Sequence, residues 1–241
     1  MNILVLMAGS SGDFCEKGYP KYLIEIQNKP MIQRTIELLE NVGNNITCII
    51  RKEDQEKYFL GDTLKILCPK CNVIEVAGDT KGAVCSALFA IDEINNDREL
   101  LIINGSQLIK TDIHPAIEDF RNRNLDGGII TIKAVHPKYS SILLDENGYV
   151  IQTSEKRPIS DIASTGCCYF KHGCDFVGAA FQVIEKDVNT NGAYYISAIF
   201  NEMILNNRKI GIYEIQKKDY LTFSDYKTYE NYLSHRRTVN V

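Results

Sequence analysis

Short hydrophobic runs alternate along this chain with amphipathic stretches that are about twice as long. The runs are four to seven residues long, as at Asn2–Met7, and the stretches between them are ten to fourteen residues long. In the stretch that follows Pro30, the side chains of Ile32, Ile36 and Leu39 fall on one helical face. This alternation is typical of βαβ units, because a buried parallel strand is apolar throughout whereas a helix buries one face. The chain is therefore predicted to be an α/β protein.

The second half of the chain has a different pattern. Gly128–Ala134 and Ser141–Ser154 are predicted to form longer strands, and Asp145–Gly148 has the composition of a hairpin turn. We therefore expect a twisted mixed, mainly parallel sheet flanked by helices. Ligands of such sheets bind beyond the carboxyl ends of the strands, so chemistry is expected after Met7 and after Ile103. Further helices are predicted at Glu53–Leu60, Gly82–Ile94, Asp175–Ile184, Tyr195–Leu205 and Asp225–Leu233.

The charge of the chain argues against a nucleic-acid partner. Its 27 Lys and Arg residues are outnumbered by 31 Asp and Glu residues, and no basic block could neutralise many phosphates.

The first apolar run is too short for a signal peptide or a membrane span, so no membrane partner is expected. Eight cysteines without an export signal are expected to be reduced thiols in a cytoplasmic protein. Cys68 and Cys71 have the spacing of half a zinc site, but no second pair completes it, which favours a simple turn.

The segment after the first strand has the composition of a phosphate-binding loop. Ala8, Gly9, Ser10 and Ser11 are small residues whose backbone N–H groups a phosphate chain can approach closely, and Lys21 can add a positive charge. The spacing matches neither GxGxxG nor GxxxxGK[ST], so dinucleotide-binding and P-loop motifs are both excluded. A tight loop with a solvated lysine is the alternative interpretation.

Two separated motifs give this loop a more specific meaning. Pro20-Lys21 is followed by an apolar stretch and then by Lys29-Pro30-Met31-Ile32 at a helix start. Far downstream lie Glu155-Lys156-Arg157-Pro158 and then Ser164-Thr165-Gly166 before an aromatic strand. In this order the segments resemble those of the sugar-phosphate nucleotidyltransferases, and the resemblance extends over nearly the whole chain. It implies one domain over residues 1–241, with a Rossmann-like nucleotide-binding lobe at 1–126 and an acceptor-binding lobe at 127–241.

The resemblance also implies roles for individual residues. Lys21 would contact the phosphates of a nucleoside triphosphate and act as the catalytic cation. Gly82 and Ala83 are the small residues that would lie against the base, and Asn104 follows the fourth predicted strand at the same edge of the sheet. The acceptor would be held by the residues of the two downstream segments, namely Glu155, Lys156, Thr165 and Gly166.

Two positions depart from the family pattern. Asp13 occupies the loop where the family usually has an arginine, and Ser106 follows the fourth strand where the family has a metal-binding aspartate. Mg²⁺ prefers carboxylate oxygens, and a serine hydroxyl supplies no charge. With Mg²⁺ as the expected cofactor, the candidate metal ligands are therefore Asp112, the nearest downstream carboxylate, and Asp225, just before the last predicted helix.

The predicted activity is transfer of a nucleotidyl group from an NTP, with CTP favoured, to a sugar phosphate or similar small phosphorylated metabolite. Pyrophosphate would leave, and the product would supply surface polysaccharide synthesis. Two alternatives stay open: a catalytically weakened relative that binds nucleotide as a partner subunit, and a nucleotide-sugar-dependent glycosyltransferase. Tyrosines such as Tyr195 and Tyr226 are expected to pack on a helix face or a subunit interface, which leaves a homo-oligomer open.

Overall fold

A computed structural model describes residues 1–43, 45–223 and 225–239, with side chains as far as Ser234. Its first half has four parallel strands in the spatial order β6, β1, β4, β5. The elements of this half are β1 (Asn2–Met7), α1 (Asp13–Glu16), a 3-10 turn (Lys21–Leu23), β2 (Glu25–Ile26), β3 (Lys29–Pro30), α2 (Met31–Leu39), β4 (Asn45–Arg51), α3 (Lys52–Tyr58), α4 (Leu60–Leu67), β5 (Asn72–Val76), α5 (Ala83–Leu88), α6 (Ile91–Ile94), β6 (Leu100–Asn104), β7 (Gln107–Ile109) and α7 (His114–Asn122).

The second half extends the same sheet with antiparallel strands. Strand β11 pairs antiparallel with β6, and this joins the two halves of the sheet. Beyond it lie β9 and β10, while β8 pairs with β11 and, in parallel, with β12. The elements of this half are β8 (Gly127–Lys133), β9 (Ser141–Leu144), β10 (Val150–Ser154), β11 (Ile162–Phe170), α8 (Gly173–Glu185), α9 (Ile196–Leu205), β12 (Ile210–Glu214), a 3-10 turn (Lys217–Asp219), β13 (Tyr220–Thr222) and α10 (Tyr226–Val239).

Helices cover both faces of this sheet, as the hydrophobic pattern requires. One core lies under α2, α4 and α7, around buried residues such as Val5 and Phe120. The other lies under α5, α8 and α9, around residues such as Leu4 and Phe170. Successive residues of β1 from Ile3 to Met7 point to opposite cores, which is why these five residues are all apolar. The predicted class, a mixed and mainly parallel sheet flanked by helices, is confirmed.

Two predicted helices have different boundaries in the structure. The predicted helix 53–60 corresponds to α3 and ends earlier, because Phe59 adopts a left-handed conformation (φ 53°) that ends α3 and begins a further helix, α4. The predicted helix 82–94 is interrupted between α5 and α6. Strands β7 and β13, which the sequence pattern does not predict, pair with each other, so the chain returns to the first half after its second. The lobe boundary at residues 126 and 127 stays a prediction, since pairing and packing cross it.

Two further expectations concern the state of the cysteines and the presence of a membrane span. All eight cysteines are free thiols, and Cys71 N–H donates to the Cys68 carbonyl at 2.9 Å, which makes the expected turn. Among the described helices, none combines the length and the apolar character that crossing a bilayer requires.

Candidate functional site

The small-residue loop after β1 folds back on the turn that carries Lys21. The Lys21 backbone N–H donates to Ser11 Oγ at 3.3 Å, and the buried Tyr22 hydroxyl donates to the Gly9 carbonyl at 3.0 Å. Lys21 Nζ donates to the Ser10 carbonyl at 3.0 Å. The loop and the lysine are therefore held together as one structure at the carboxyl end of the central strand.

A cavity of about 420 Å³ lies beside this loop. Seven residues predicted to bind nucleotide line it: Ala8, Gly9, Ser10, Lys21, Gly82, Ala83 and Asn104. Ser11, the eighth, is buried and serves the cavity indirectly, through its bond to the Lys21 backbone. We refer to this space as the nucleotide cavity.

Lys21 carries the positive charge of this cavity. Burial lowers the pKa of its ammonium group, while the Asp54 carboxylate and the Cys15 thiol act in the opposite direction. In the part of the chain that the structure describes, the ammonium forms no ion pair, and its hydrogen bond goes to the neutral Ser10 carbonyl. A partly desolvated cation without a fixed counter-ion can attract an anionic ligand strongly.

A close backbone contact at Gly82 forms the far wall of the nucleotide cavity. Tyr194 N–H donates to the Lys81 carbonyl at 2.8 Å, and Val84 N–H donates to the Tyr194 carbonyl at 3.1 Å. Gly82 has φ +102°, and a Cβ there would lie 2.4 Å from the Tyr194 oxygen. Glycine is therefore required at this position for both conformation and space. The contact places Tyr195, the next residue, in the cavity wall.

A second cavity, of about 240 Å³, lies beside β9, β10 and the start of α9, and we call it the acceptor cavity. Glu155 is fixed in its wall because Glu155 Oε2 accepts hydrogen bonds from Ser140 Oγ (2.5 Å) and Ser197 Oγ (2.9 Å). Lys156 Nζ lies 5.0 Å from the centre of the Tyr195 ring, within range of a cation–π contact. A carboxylate and an ammonium group thus face the same small space.

An irregular segment of β11 brings Gly166 into this wall. The register of β11 against β8 shifts between Ser164 and Cys168, and Gly166 has φ +78°. Gly166 lines the acceptor cavity, whereas Thr165 is fully buried and its hydroxyl donates to the Ile130 carbonyl at 2.8 Å. The place of Thr165 in the structure is therefore to fix the bulge rather than to line the cavity.

The two cavities adjoin. Ala83, Asn104 and Tyr195 line both of them, so a ligand in one lies next to a ligand in the other. These three residues come from distant parts of the sequence and meet at the carboxyl ends of the parallel strands. The arrangement suits a reaction between two small substrates bound side by side.

The two predicted metal ligands lie at helix N-termini. The exposed Asp112 accepts a bond from the His114 N–H at 2.9 Å, and Asp225 Oδ1 accepts from the Thr228 N–H at 2.7 Å and its hydroxyl at 2.8 Å. Neither residue lines either cavity, whereas Ser106 lines the nucleotide cavity with a neutral hydroxyl. Within residues 1–43, 45–223 and 225–239, no three His, Cys, Asp or Glu side chains are grouped to hold a metal ion. These residues do not fit a protein-built magnesium site.

We expect the protein without nucleotide to bind Mg²⁺ only weakly, with a dissociation constant above about 1 mM, because the described residues contain no group of three or more His, Cys, Asp or Glu side chains that could hold a metal ion. Calorimetric titration of the free protein with MgCl₂ measures this. Micromolar binding that is lost in Asp112→Asn or in Asp225→Asn would contradict it and restore those two residues as ligands.

Asp13, the acidic residue of the loop, has a structural partner. Its Oδ2 accepts a bond from the Tyr226 N–H at 3.1 Å, at the first turn of α10. A carboxylate is favourable at a helix N-terminus. Phe14 packs against the Tyr226 ring at 5.6 Å, so α10 holds the start of α1. The bond directs Asp13 to α10, and the residue does not line the nucleotide cavity.

Sequence reasoning did not find several residues of the acceptor cavity. Tyr195 was expected to pack on a helix face or an interface, yet it lines both cavities. Tyr226, by contrast, packs on α1 as expected. Lys138, Ser140, Ser197 and Gln107 also line the acceptor cavity. No local motif marks them, because their proximity is created by strand pairing and by the Gly82 contact rather than by spacing in the sequence.

The fold and site define an α/β protein with a loop of small residues that holds Lys21 and with two adjoining cavities. A family model described as nucleotidyl transferase matches residues 15–218. The chain belongs to this nucleotidyl transferase family.

Individual proteins that are similar to this chain in sequence or in fold include, by their names, a cytidylyltransferase and a pyrophosphorylase. The bifunctional protein GlmU of Methanocaldococcus jannaschii is 26% identical over 220 residues, which cover 88% of this chain and 49% of that protein. The chain thus spans about half the length of this relative. A 2-C-methyl-D-erythritol 4-phosphate cytidylyltransferase of Thermosipho melanesiensis is 23% identical over 91% of this chain and 94% of its own length. The structure of a nucleoside-diphosphate-sugar pyrophosphorylase from Vibrio cholerae RC9 has a TM-score of 0.84 at 21% identity, covering 96% of this chain and 99% of that one, which supports the fold.

Proposed function

We propose that this protein transfers a nucleotidyl group from an NTP to a small phosphorylated acceptor and releases pyrophosphate. The observation that carries the proposal is the junction of the two cavities at Ala83, Asn104 and Tyr195. An NTP whose phosphates lie on the loop beside Lys21 would present its α-phosphate to this junction. An acceptor beside Lys156 would present its phosphate from the other side.

The chemistry requires positioning and charge rather than a covalent intermediate. An oxygen of the acceptor phosphate attacks the α-phosphorus of the NTP, the bond to the bridging oxygen breaks, and pyrophosphate leaves with the electron pair. Lys21 stabilises the negative charge that develops on the α-phosphate oxygens. Lys156 holds the attacking phosphate, and Glu155, fixed by two serine hydroxyls, accepts hydrogen bonds from acceptor hydroxyl groups. The cofactor Mg²⁺ stays a prediction, and no step is assigned to it.

The identity of the base and the role of the product are finer parts of this proposal. CTP is favoured because a cytidylyltransferase is among the similar proteins, and this chain matches it over 94% of its length. A sugar phosphate is the proposed acceptor, and activated precursors of surface polysaccharide are the proposed product. Location in the cytoplasm and a homo-oligomeric state stay predictions.

A pyrophosphate-release assay with the four NTPs, each combined with a panel of sugar phosphates and polyol phosphates, tests the activity. We expect release that depends on both substrates and is fastest with CTP. Release without an acceptor would indicate NTP hydrolysis instead, and faster turnover with another NTP would correct the choice of base.

Ser106 favours one other candidate function. Since this hydroxyl replaces the expected carboxylate in the nucleotide cavity, the chain could be a weakened relative that binds nucleotide as a partner subunit. Nucleotide binding by calorimetry together with no pyrophosphate release from any substrate pair would favour this candidate.

A further inference from the structure

Gln107 has a feature that the proposed roles do not use. It is the first residue of β7, it lines the acceptor cavity, and its amide oxygen is buried without a hydrogen-bond partner among the described residues. A buried polar atom without a partner is destabilising, and such atoms are uncommon in folded proteins. An unpaired amide in the wall of a ligand cavity is therefore best explained by a partner on the ligand.

The surrounding backbone is shaped around this amide. A Cβ at Gly166 would lie 2.5 Å from Gln107 Oε1, 2.7 Å from Gln107 Nε2 and 2.7 Å from Asn104 Nδ2. The β11 bulge and its glycine thus provide the space in which the two amide groups lie side by side. A larger residue at position 166 would displace both amide groups.

The position of the two amides relates Gln107 to the reacting centre. Asn104 lines both cavities, whereas Gln107 lines the acceptor cavity alone. The amides of Asn104 and Gln107 lie side by side at Gly166, so Gln107 lies next to a residue that both cavities share. An acceptor whose phosphate lies at the junction would place the atoms beside its phosphate ester next to the Gln107 amide.

We propose that Gln107 selects the acceptor by accepting a hydrogen bond from a hydroxyl group on the carbon beside the phosphate-bearing carbon. The terminal bond of a glutamine side chain rotates readily, so the oxygen can turn toward a ligand when a donor is present. A site built to bond a hydroxyl rejects an analogue that lacks it, because the protein group is then left unpaired. This inference rests on the proposed function and names the acceptor as a vicinal hydroxy phosphate.

Two matched ligand pairs test the inference in the protein with all 241 residues. One pair is glucose 1-phosphate and 2-deoxyglucose 1-phosphate, and the other is glycerol 3-phosphate and 1,3-propanediol phosphate. The members of each pair differ by a single hydroxyl group on the relevant carbon. We expect the wild type to bind the hydroxylated member of at least one pair about tenfold more tightly.

Substitutions at Gln107 then test the contribution of its side-chain amide. In Gln107→Met this preference should fall below about threefold while the deoxy member binds as before, because the apolar side chain has similar length but cannot accept the bond. Gln107→Glu should keep the preference and weaken both members, since it retains an acceptor oxygen but places a negative charge near the phosphate. Gln152→Met, at an exposed position of β10, is the matched control and should behave as wild type.

The outcomes separate this inference from the proposed function. Calorimetry with CTP is run on every variant, and CTP affinity should not change. If CTP binds but Gln107→Met keeps the full hydroxyl preference, the inference is wrong and the proposed function stands. If CTP binds and neither pair binds, the acceptor is not a vicinal hydroxy phosphate of this kind. If none of the four NTPs binds either, the proposed function fails as well.

Discussion

Replacement of Lys21 by alanine is expected to lower turnover by about a hundredfold or more while the protein stays folded. The ammonium lies in the nucleotide cavity, partly desolvated and without a fixed counter-ion in the described structure. A cation aimed at developing phosphate charge stabilises the transition state more than the ground state, and removing one such donor typically costs that factor. Pyrophosphate release with the best substrate pair measures the change, and thermal unfolding checks the fold.

Lys52→Ala is the matched control for this substitution. Lys52 begins α3, and its ammonium is exposed and lies 3.8 Å from the Glu56 carboxylate, outside both cavities. Its removal should leave turnover unchanged, because an exposed pair of this kind contributes little. Equal turnover in Lys21→Ala and wild type would mean that Lys21 is a solvated side chain of a tight loop and not a catalytic cation.

Replacement of Gly82 by alanine should lower the free energy of unfolding by about 2–4 kcal/mol. Part of the cost is the left-handed backbone at φ +102°, which an L residue adopts with strain. The rest is steric, because the new methyl group would lie 2.4 Å from the Tyr194 oxygen and 2.7 Å from its nitrogen. In a chain of this size the loss corresponds to a fall of several degrees in Tm.

Gly78→Ala separates the two parts of this cost. Gly78 has φ +72°, in the same connection between β5 and α5, but a Cβ there would meet no atom within 4 Å. It should therefore lose only the conformational part, about 1 kcal/mol. Calorimetric unfolding of both variants gives the difference. If the two variants lose the same stability, the close contact with Tyr194 does not constrain position 82.

The parts of the fold that depend on local pattern were predictable from the sequence. The apolar runs of β1, β4 and β6 marked the strands, since burial on both faces requires continuous apolar residues. The helix break at Phe59 was not predictable, because a bulky residue in a left-handed conformation carries no sequence signal. The return of the chain at β13 depends on a long-range pairing with β7 that no local pattern encodes.

The candidate site, like the fold, has parts that were predictable from local sequence and parts that depend on long-range contacts. The loop from Ala8 to Lys21 and the pair Glu155 and Lys156 were identified because each is a contiguous motif, and the structure places them in the walls of adjoining cavities. Tyr195 could not be assigned in advance, because its position depends on the backbone contact between Gly82 and Tyr194, which are far apart in the sequence. The roles of all these residues stay proposals that the substitutions above test.

The separate construction of the two cavities has a consequence for how such a protein can change over generations. The nucleotide cavity is built largely by loops of the first half, and the acceptor cavity largely by β9, β10, β11 and α9, with only Ala83, Asn104 and Tyr195 lining both. Under the proposed function, substitutions in the second half can therefore change which acceptor binds without displacing the nucleoside triphosphate. A change of acceptor on this fold would require substitutions among the residues that line the acceptor cavity, and the reaction itself would stay the same.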